Sequence, residues 1–582
     1  MSGTYGSVWS IAFAYTDTMS SRTVALLNRT ARSATVNGSC LSGPRVPLGG
    51  RVRWTSNQSR VDRNITGPQK NSNSLIVASV AAASLVTLLS FTTWPTLHAD
   101  SEISKKTHQQ ESASSTKKTT TEPGRISAEE LADHKSLKSL WVAVDGDVWD
   151  VTDFANQHPG GTEILVQHAG RDVTRIFKAI HPTHTVEKNL TSEQLVGRLD
   201  DSAIKTFAST YTDEEKKIGM ARAKLFGVDS VVSLDDFERY AKDLLIPAAW
   251  YYYSTGADGE HSLFDNADAY NRVHFRPRVM RNVTDPDLRT KILGVESTLP
   301  FYVSPTARNG LGQPLGEIAV TRGAGATGIL QVLSHYASRS LEEVISETKE
   351  GQKVGWQIYT SMDREKSARE IREAYRLGAQ SIWVTVDTAI LGKREKERRA
   401  QAERTPAAHG KPLSPPLPKN AYAHDTGLTW KDIDWIKSLA PGLPIVIKGV
   451  GAWEDVVLAQ KYGADAVVLS NHGGRQLDYA NPPLKTLHDL NVHSPSSIHQ
   501  PDFQIFVDGG IRHGTDILKA LCLGANAVGL GRPFIYAATG WGSDGVERAV
   551  QILKEELEIG MILLGVTRLD QLGPEYVDVS KL

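Results

Sequence analysis

Residues 444–478 read PIVIKGVGAWEDVVLAQKYGADAVVLSNHGGRQLD. An apolar, β-branched run (Pro444–Val450) is followed by an amphipathic stretch (Trp453–Tyr462) and a second apolar run (Ala466–Ser470). That is the pattern of two parallel strands, buried on both faces, joined by a helix. Working outward, the same alternation recurs. Pro300–Ser304, Gly328–Ser334, Val354–Tyr359, Ser381–Asp387, Gln504–Asp508 and Ala527–Leu530 read as further strands, and Asp363–Leu377 as another outer helix. Eight β–α repeats in roughly 280 residues predict a closed (β/α)8 TIM barrel rather than a doubly wound sheet, for which no early GxGxxG turn is present.

A barrel of this kind carries its chemistry at the carboxyl ends of its strands. Those ends deliver Pro305-Thr306-Ala307, Ser334, Gln357 with Tyr359, Thr385 with Asp387, Lys448, His472 to Arg475, Asp508-Gly509-Gly510 with Arg512, and Gly531-Arg532. The loops after strands seven and eight have the make-up of a phosphate cradle, with glycines admitting backbone N–H groups and Arg512 and Arg532 supplying charge. His472 is positioned as a general base. Asp387 can approach across the mouth to stabilise its imidazolium, and Arg475, three residues on, can grip a carboxylate by two parallel hydrogen bonds.

Upstream, the segment Ile126–Asp200 holds alternating apolar residues through Trp141–Val151, read as two short strands joined at Asp145-Gly146-Asp147, then short helices flanking two histidines. His158 lies in His158-Pro159-Gly160-Gly161, and His181 follows in Ile180-His181-Pro182. A low-spin haem iron needs two neutral imidazoles from opposite faces, so the chain between them must wrap the porphyrin edge. His168 reads as a solvated helix residue. This segment resembles cytochrome b5, which implies His158 and His181 as the axial ligands of haem b.

The barrel, with SNHGGRQLD as its hallmark, resembles the FMN-dependent 2-hydroxyacid dehydrogenase and oxidase family. The resemblance implies Tyr252 as a substrate-carboxylate contact, Tyr359 near the substrate hydroxyl, His472 as base, Asp387 as its partner, Arg475 as clamp and Arg394 as an accessory cation. It implies FMN held by Thr306, Ala307, Ser334, Gln357, Thr385, Lys448, Asp508, Gly509, Gly510, Arg512, Gly531 and Arg532, with Lys448 offsetting charge on the reduced ring. A haem module ahead of such a barrel implies oxidation of L-lactate or a similar small L-2-hydroxy acid, as hydride or through a carbanion, with electrons passing through the haem to cytochrome c. The alternative is a peroxisomal, oxygen-dependent 2-hydroxyacid oxidase producing hydrogen peroxide. Tyr336, in the region that lines the substrate's side-chain pocket, implies small aliphatic acids over mandelate. A homotetramer is the expected assembly. Three departures stand out: Ala389 where proline is frequent, Arg308-Asn309-Gly310 after strand one, and a chain that ends soon after Gly573, putting the tail contacts between protomers in doubt.

Composition agrees. With 582 residues, more than one core is expected. A net charge of −1 gives no field for gripping nucleic acid, and two cysteines, Cys40 and Cys522, cannot form a disulfide framework or a four-ligand zinc site. Between Met1 and Lys70 stand eight arginines and one lysine against Asp17 and Asp62, amid Ser and Thr, and the uncharged run Leu75–Thr92 follows. That order predicts a bipartite address to the mitochondrial intermembrane space, with a retained membrane anchor as the alternative. Ser580-Lys581-Leu582 spells a competing peroxisomal address. The expected organisation is a sorting segment (1–99), a polar linker (100–121), a haem domain (122–200), a charged helical connector (201–231) and the barrel domain (232–582).

Overall fold

The eight predicted strands close a parallel barrel in the computed structural model, which describes residues 124–158, 162–209, 213–403 and 424–582. The targeting segment, the run Leu75–Thr92, Cys40 and the Gly160-Gly161 turn lie outside the described residues. Among the described residues no helix is long and apolar enough to cross a membrane.

The barrel strands are β1 (Phe301–Val303), β2 (Gln331–Leu333), β3 (Val354–Ile358), β4 (Ile382–Thr385), β5 (Ile445–Val450), β6 (Ala466–Leu469), β7 (Gln504–Asp508) and β8 (Ala527–Leu530). Each pairs in parallel with its sequence neighbour, and β1 closes on β8 with Phe301 opposite Val528 and Val303 opposite Leu530. Because side chains alternate along a strand, each run serves two cores. Tyr302, Val332, Trp383, Val446, Val468 and Phe506 fill the barrel interior. Their neighbours Phe301, Leu333, Val384, Ile447, Leu469 and Val507 face the outer helices. This explains why the strands read as nearly continuous apolar runs. Outer helices follow the strands with local start and stop signals. Arg364–Leu377, for example, starts where the Asp363 side chain accepts from the Lys366 N–H (3.1 Å) and stops at Gly378, whose φ of 90° is left-handed.

One irregularity shapes the site. The register of β5 against β6 shifts between Lys448 and Val450, at Gly449 (φ 105°). A Cβ on Gly449 would stand 2.6 Å from the Asp387 carboxyl carbon, so the bulge makes room for that side chain.

Residues 124–199 form a separate small sheet in the order Gly124–Ile126, Leu195–Leu199, Asp147–Asp150, Ser139–Val144, Lys135–Ser136, with Arg171–Asp172 joining Ser139–Val144. The predicted hairpin turns at Asp145 (φ 53°) and Gly146 (φ 84°), both left-handed, as a two-residue type I′ turn requires. A core of Leu140, Val142, Val144, Val151 and Ala155 lies beneath the segment carrying the two histidines. Beyond it, helices Asp201–Ser209 and Asp213–Ala223 occupy the stretch read as a helical connector. Ser114–Leu582 form one compact unit.

Candidate active site and haem centre

The SNHGGRQLD run builds most of the barrel mouth. Ser470 accepts from the His472 N–H (3.0 Å) and from Lys448 Nζ (3.2 Å). Asn471 exchanges amide hydrogen bonds with Asn266 (2.7 and 2.8 Å) and accepts from the Gly474 N–H (3.0 Å). Gly474 lies flush against Leu263, where a Cβ would be 2.5 Å from its backbone. Gln476 donates to the carbonyls of Asp387 and Ile390 (2.8 Å each), fastening the loop after β4. Asp478 accepts from the N–H groups of Gly259 (3.1 Å) and Ser262 (2.8 Å). Six polar side chains thus hold one histidine in the left-handed region (φ 59°), a conformation that persists only when its surroundings enforce it.

His472 Nδ1 lies 2.9 Å from Asp387 Oδ1, and its Nε2 lies 3.4 Å from the Tyr359 hydroxyl. An ionised carboxylate only accepts, so Nδ1 carries the proton and the Nε2 lone pair faces the mouth. Burial holds the His472 pKa below its ordinary value, against the opposing pull of Asp387. Burial alone would raise Asp387, but the charge and hydrogen bond of His472, with help from Lys448 and Thr388, keep its carboxyl below the usual range. The resting pair is therefore a neutral imidazole beside a carboxylate, ready to take a proton. Lys448 is held charged despite burial by Asp508, 3.3 Å away, and by Asp387.

Arg475 donates from Nη1 to the carbonyls of Tyr252 (2.7 Å) and Thr255 (3.0 Å). Burial, Arg394 and Arg532 together push its pKa down to about 9. Three guanidiniums thus crowd one region whose local anion, Glu397, lies 3.5 Å from Arg394. Such a cluster is relieved by binding an anion. Ser334, Gln357 and Thr385 form a chain across three strand ends, with Ser334 donating to Gln357 (3.2 Å) and Gln357 to Thr385 (2.9 Å). Thr306 and Ala307 follow β1, and a Cβ on Gly531 would lie 3.1 Å from the Thr306 methyl. Gly509 and Gly510 turn with φ of 94° and 83°. The two arginines read as phosphate partners differ in what they contact. Arg512 pairs with Glu238 (2.7 Å) and leaves Nη1 buried without a partner. Arg532 directs its donors to the carbonyls of Tyr253 (2.8 Å), Gly473 (3.1 Å) and Thr255 (3.2 Å), bracing the His472 loop.

The mouth fits a flavin phosphate. It has a glycine-lined rim, an unsatisfied guanidinium donor at Arg512, and a buried hydroxyl without a partner at Ser304, just past β1. A fused polar ring with a phosphate tail supplies what these groups lack.

In the small domain the rings of His158 and His181 have centroids 6.2 Å apart. Two imidazoles each bonded to one metal at about 2 Å would have their centroids about 6 Å apart, so the pair matches opposed axial ligation of one iron. His181 Nδ1 lies 3.2 Å from the Phe177 carbonyl, an acceptor, which leaves Nε2 free for the metal.

Sequence reasoning missed Asn266 and His424. His424 donates from Nδ1 to the Thr388 carbonyl (2.7 Å) and accepts from the Tyr336 hydroxyl (3.0 Å). Its ring stacks on Tyr359 with centroids 4.5 Å apart. Asn266 lies on the helix His261–Asn271, remote in sequence from the loop it buttresses.

A closed barrel with a histidine–carboxylate pair and an arginine cluster at its mouth, following a domain with two facing histidines, has the parts of a flavin enzyme joined to a haem domain. Residues 241–579 match the FMN-dependent dehydrogenase family, and residues 127–200 match the cytochrome b5-like heme/steroid binding domain. The chain belongs to the FMN-dependent dehydrogenase family; it is an enzyme, and its cofactors are FMN and haem. It is 39% identical over 462 residues (78% of this chain, 80% of the relative) to the L-lactate dehydrogenase (cytochrome) of Wickerhamomyces anomalus. It is 39% identical over 475 residues (79% and 80%) to the Saccharomyces cerevisiae protein of the same name. Among solved structures, the flavin-binding domain of baker's yeast flavocytochrome b2 is similar with a TM-score of 0.58 and 41% identity, covering 64% of this chain and 93% of that one.

Proposed function

We propose that this enzyme oxidises L-lactate, or a similarly small L-2-hydroxy acid, to the 2-oxo acid and passes the electrons through its haem to cytochrome c. The observation that carries the reading is the buried His472–Asp387 pair beside an under-neutralised arginine cluster, in a chain that also holds two imidazoles at haem spacing. Arg475, with Arg394 beside it, binds the substrate carboxylate, and Tyr252 closes the site over it, its ring 5.4 Å from the Arg475 guanidinium carbon. Tyr359 orients the hydroxyl toward His472 Nε2, which takes a proton, and Asp387 stabilises the resulting imidazolium. When bound, FMN would supply a two-electron acceptor beside the substrate and the haem a one-electron carrier. Thr306, Ala307, Ser334, Gln357, Thr385, Lys448, Asp508, Gly509, Gly510, Arg512, Gly531 and Arg532 form its seat, with Lys448 as the cation for the reduced ring. His158 and His181 hold the iron. The test is a visible spectrum of the purified protein before and after anaerobic L-lactate. Bleached flavin absorbance followed by sharpened reduced-haem bands is the expected result, and an unbleached flavin refutes the reading. Peroxide formation outpacing cytochrome c reduction would favour the oxidase alternative, in which the haem domain has no electron-carrying role.

Two further outcomes follow. Exchange of Asp387 for asparagine removes the one strong influence that raises the His472 pKa. The acid limb of kcat/KM, which lies below the ordinary histidine value in the native enzyme, moves to still lower pH, while the plateau falls by about 100-fold or more. A limb that moves upward contradicts the pairing. Tyr336, fixed by its hydrogen bond to His424, limits the bulk of the substrate side chain, so kcat/KM for L-lactate exceeds that for L-mandelate. In Tyr336→Ala the ratio shifts toward mandelate by about tenfold or more. Mandelate turning over faster than lactate in the native enzyme would refute this assignment.

The basic first 70 residues and the apolar Leu75–Thr92 support delivery to the mitochondrial intermembrane space, to be checked by fractionating tagged full-length protein.

A further inference from the structure

Arg308 takes no part in the chemistry above. It follows β1 at the entry to the turn Asn309–Leu311, with left-handed φ and ψ of 60° and 42°, a conformation that a residue with a Cβ rarely adopts. The buried Tyr253 hydroxyl donates to its carbonyl at 2.6 Å and holds it there. Its half-buried guanidinium lies 5.7 Å from the centre of the Tyr252 ring, the same ring that Arg475 approaches at 5.4 Å. Among the described residues no carboxylate forms an ion pair with it. A strained backbone presenting an unpaired cation marks a position kept for contact rather than for stability.

What faces this turn is the haem domain. The helix Thr174–Ile180, which ends at the iron ligand His181, packs its last turn on Asn309–Leu311. Gly310 fits only because it has no side chain, since a Cβ there would overlap the Ala179 carbonyl. Close by, the Thr183 hydroxyl donates to Glu343 across the same seam. One cation thus lies beside the ring over the substrate clamp, at the residue that leads into the turn on which the helix ending at His181 packs.

We propose that Arg308 is a positioning residue that seats the haem domain on the barrel mouth by pairing with a propionate carboxylate at the haem edge. The inference rests on the reading that this chain passes electrons from flavin to haem. A guanidinium matches a carboxylate bidentately. One half-buried pair holds the domain weakly enough to release it, and a soluble acceptor then gains access to the haem. Arg308 moves no proton and touches no reacting atom; it sets how often the two cofactors are within transfer distance.

The test is stopped-flow reduction of the holoenzyme by L-lactate, with flavin and haem absorbance followed separately in the native protein, Arg308→Asn and Arg308→Lys. Asparagine tolerates the left-handed backbone, and retained FMN and haem absorbance certifies folding. The expected result is flavin bleaching within about twofold of native, with the flavin-to-haem step about tenfold slower in Arg308→Asn and largely restored in Arg308→Lys. The haem midpoint potential falls in the asparagine variant, because a cation favours the less positive reduced iron. In the native enzyme the transfer step slows as salt screens the pair, and this dependence flattens in Arg308→Asn; the salt series on native protein needs no variant. Haem reduction unchanged in rate and potential overturns the proposal. So does slower flavin bleaching with a raised KM for lactate, which would make Arg308 a substrate contact. If lactate fails to bleach the native flavin, the parent reading falls instead.

Discussion

Replacing His472 by glutamine is expected to lower lactate turnover by about 1,000- to 10,000-fold while both cofactors stay bound. Glutamine can still donate toward Asp387 and spans a similar length, so the loop built by Ser470, Asn471, Gln476 and Asp478 keeps its shape. What disappears is the imidazole proposed to accept the proton, paired with Asp387. General-base removal costs up to about 10,000-fold, and the Asp387 charge then has no imidazolium to stabilise. Because Arg475 is untouched, the Kd for an unreactive carboxylate analogue, measured by flavin perturbation, stays within about threefold of native. Turnover persisting within tenfold would mean that another group takes the proton, and the assignment of the base would be wrong. Weakened analogue binding together with lost turnover would point instead to a collapsed loop, and Ser470→Ala, which removes the same support without removing the base, separates the two cases.

That loop was legible in the sequence because its residues are contiguous and its turn is set by its own glycines, although the partners that brace it, Asn266 and Ser262 among them, lie more than 200 positions away. Gly473 and Gly474 have φ of 64° and 76°, and Ser470 and Asn471 accept from the N–H groups of His472 and Gly474 within the same run. The strands were legible for the same reason: burial on both faces makes each a continuous apolar run. Their ends were less so. Gly328–Ser334 shrinks to Gln331–Leu333 because Gly328, with φ of 74°, terminates the preceding helix. Ser381–Asp387 stops at Thr385 because Asp387 turns away to meet His472.

The remaining features depend on contacts between segments far apart in the chain. Nothing in Gly531-Arg532 says that the guanidinium also reaches three backbone carbonyls and braces the His472 loop. His424 lies in no strand or helix, and its contact with Tyr336 spans 88 positions. Arg308 registered in the sequence as a departure from the family pattern, yet its position beside Tyr252 and next to the turn that meets the helix Thr174–Ile180 appears only when β1 is folded against the small domain.

Removing the proposed haem ligand His181 gives the second large effect, and it separates the two halves of the enzyme. His181→Ala is expected to leave the purified protein with little or no haem b and to abolish lactate-dependent cytochrome c reduction. Anaerobic flavin bleaching and reduction of an artificial acceptor that takes electrons from flavin directly should remain within about threefold. Inside the haem domain His181 makes few other contacts: its backbone N–H and Nδ1 both engage the Phe177 carbonyl, and its ring stacks on Phe177 with centroids 4.4 Å apart. Alanine keeps the backbone bond, so the lost stability is modest and the loss of iron ligation dominates. His158, facing it 6.2 Å away, would be left as a lone ligand, too few for a low-spin iron held from both sides. Haem content by absorbance and the ratio of the two acceptor activities decide the matter. Cytochrome c reduction surviving in the haem-depleted variant would mean that the flavin reaches the acceptor alone, and the chain of electrons through the small domain would have to be abandoned.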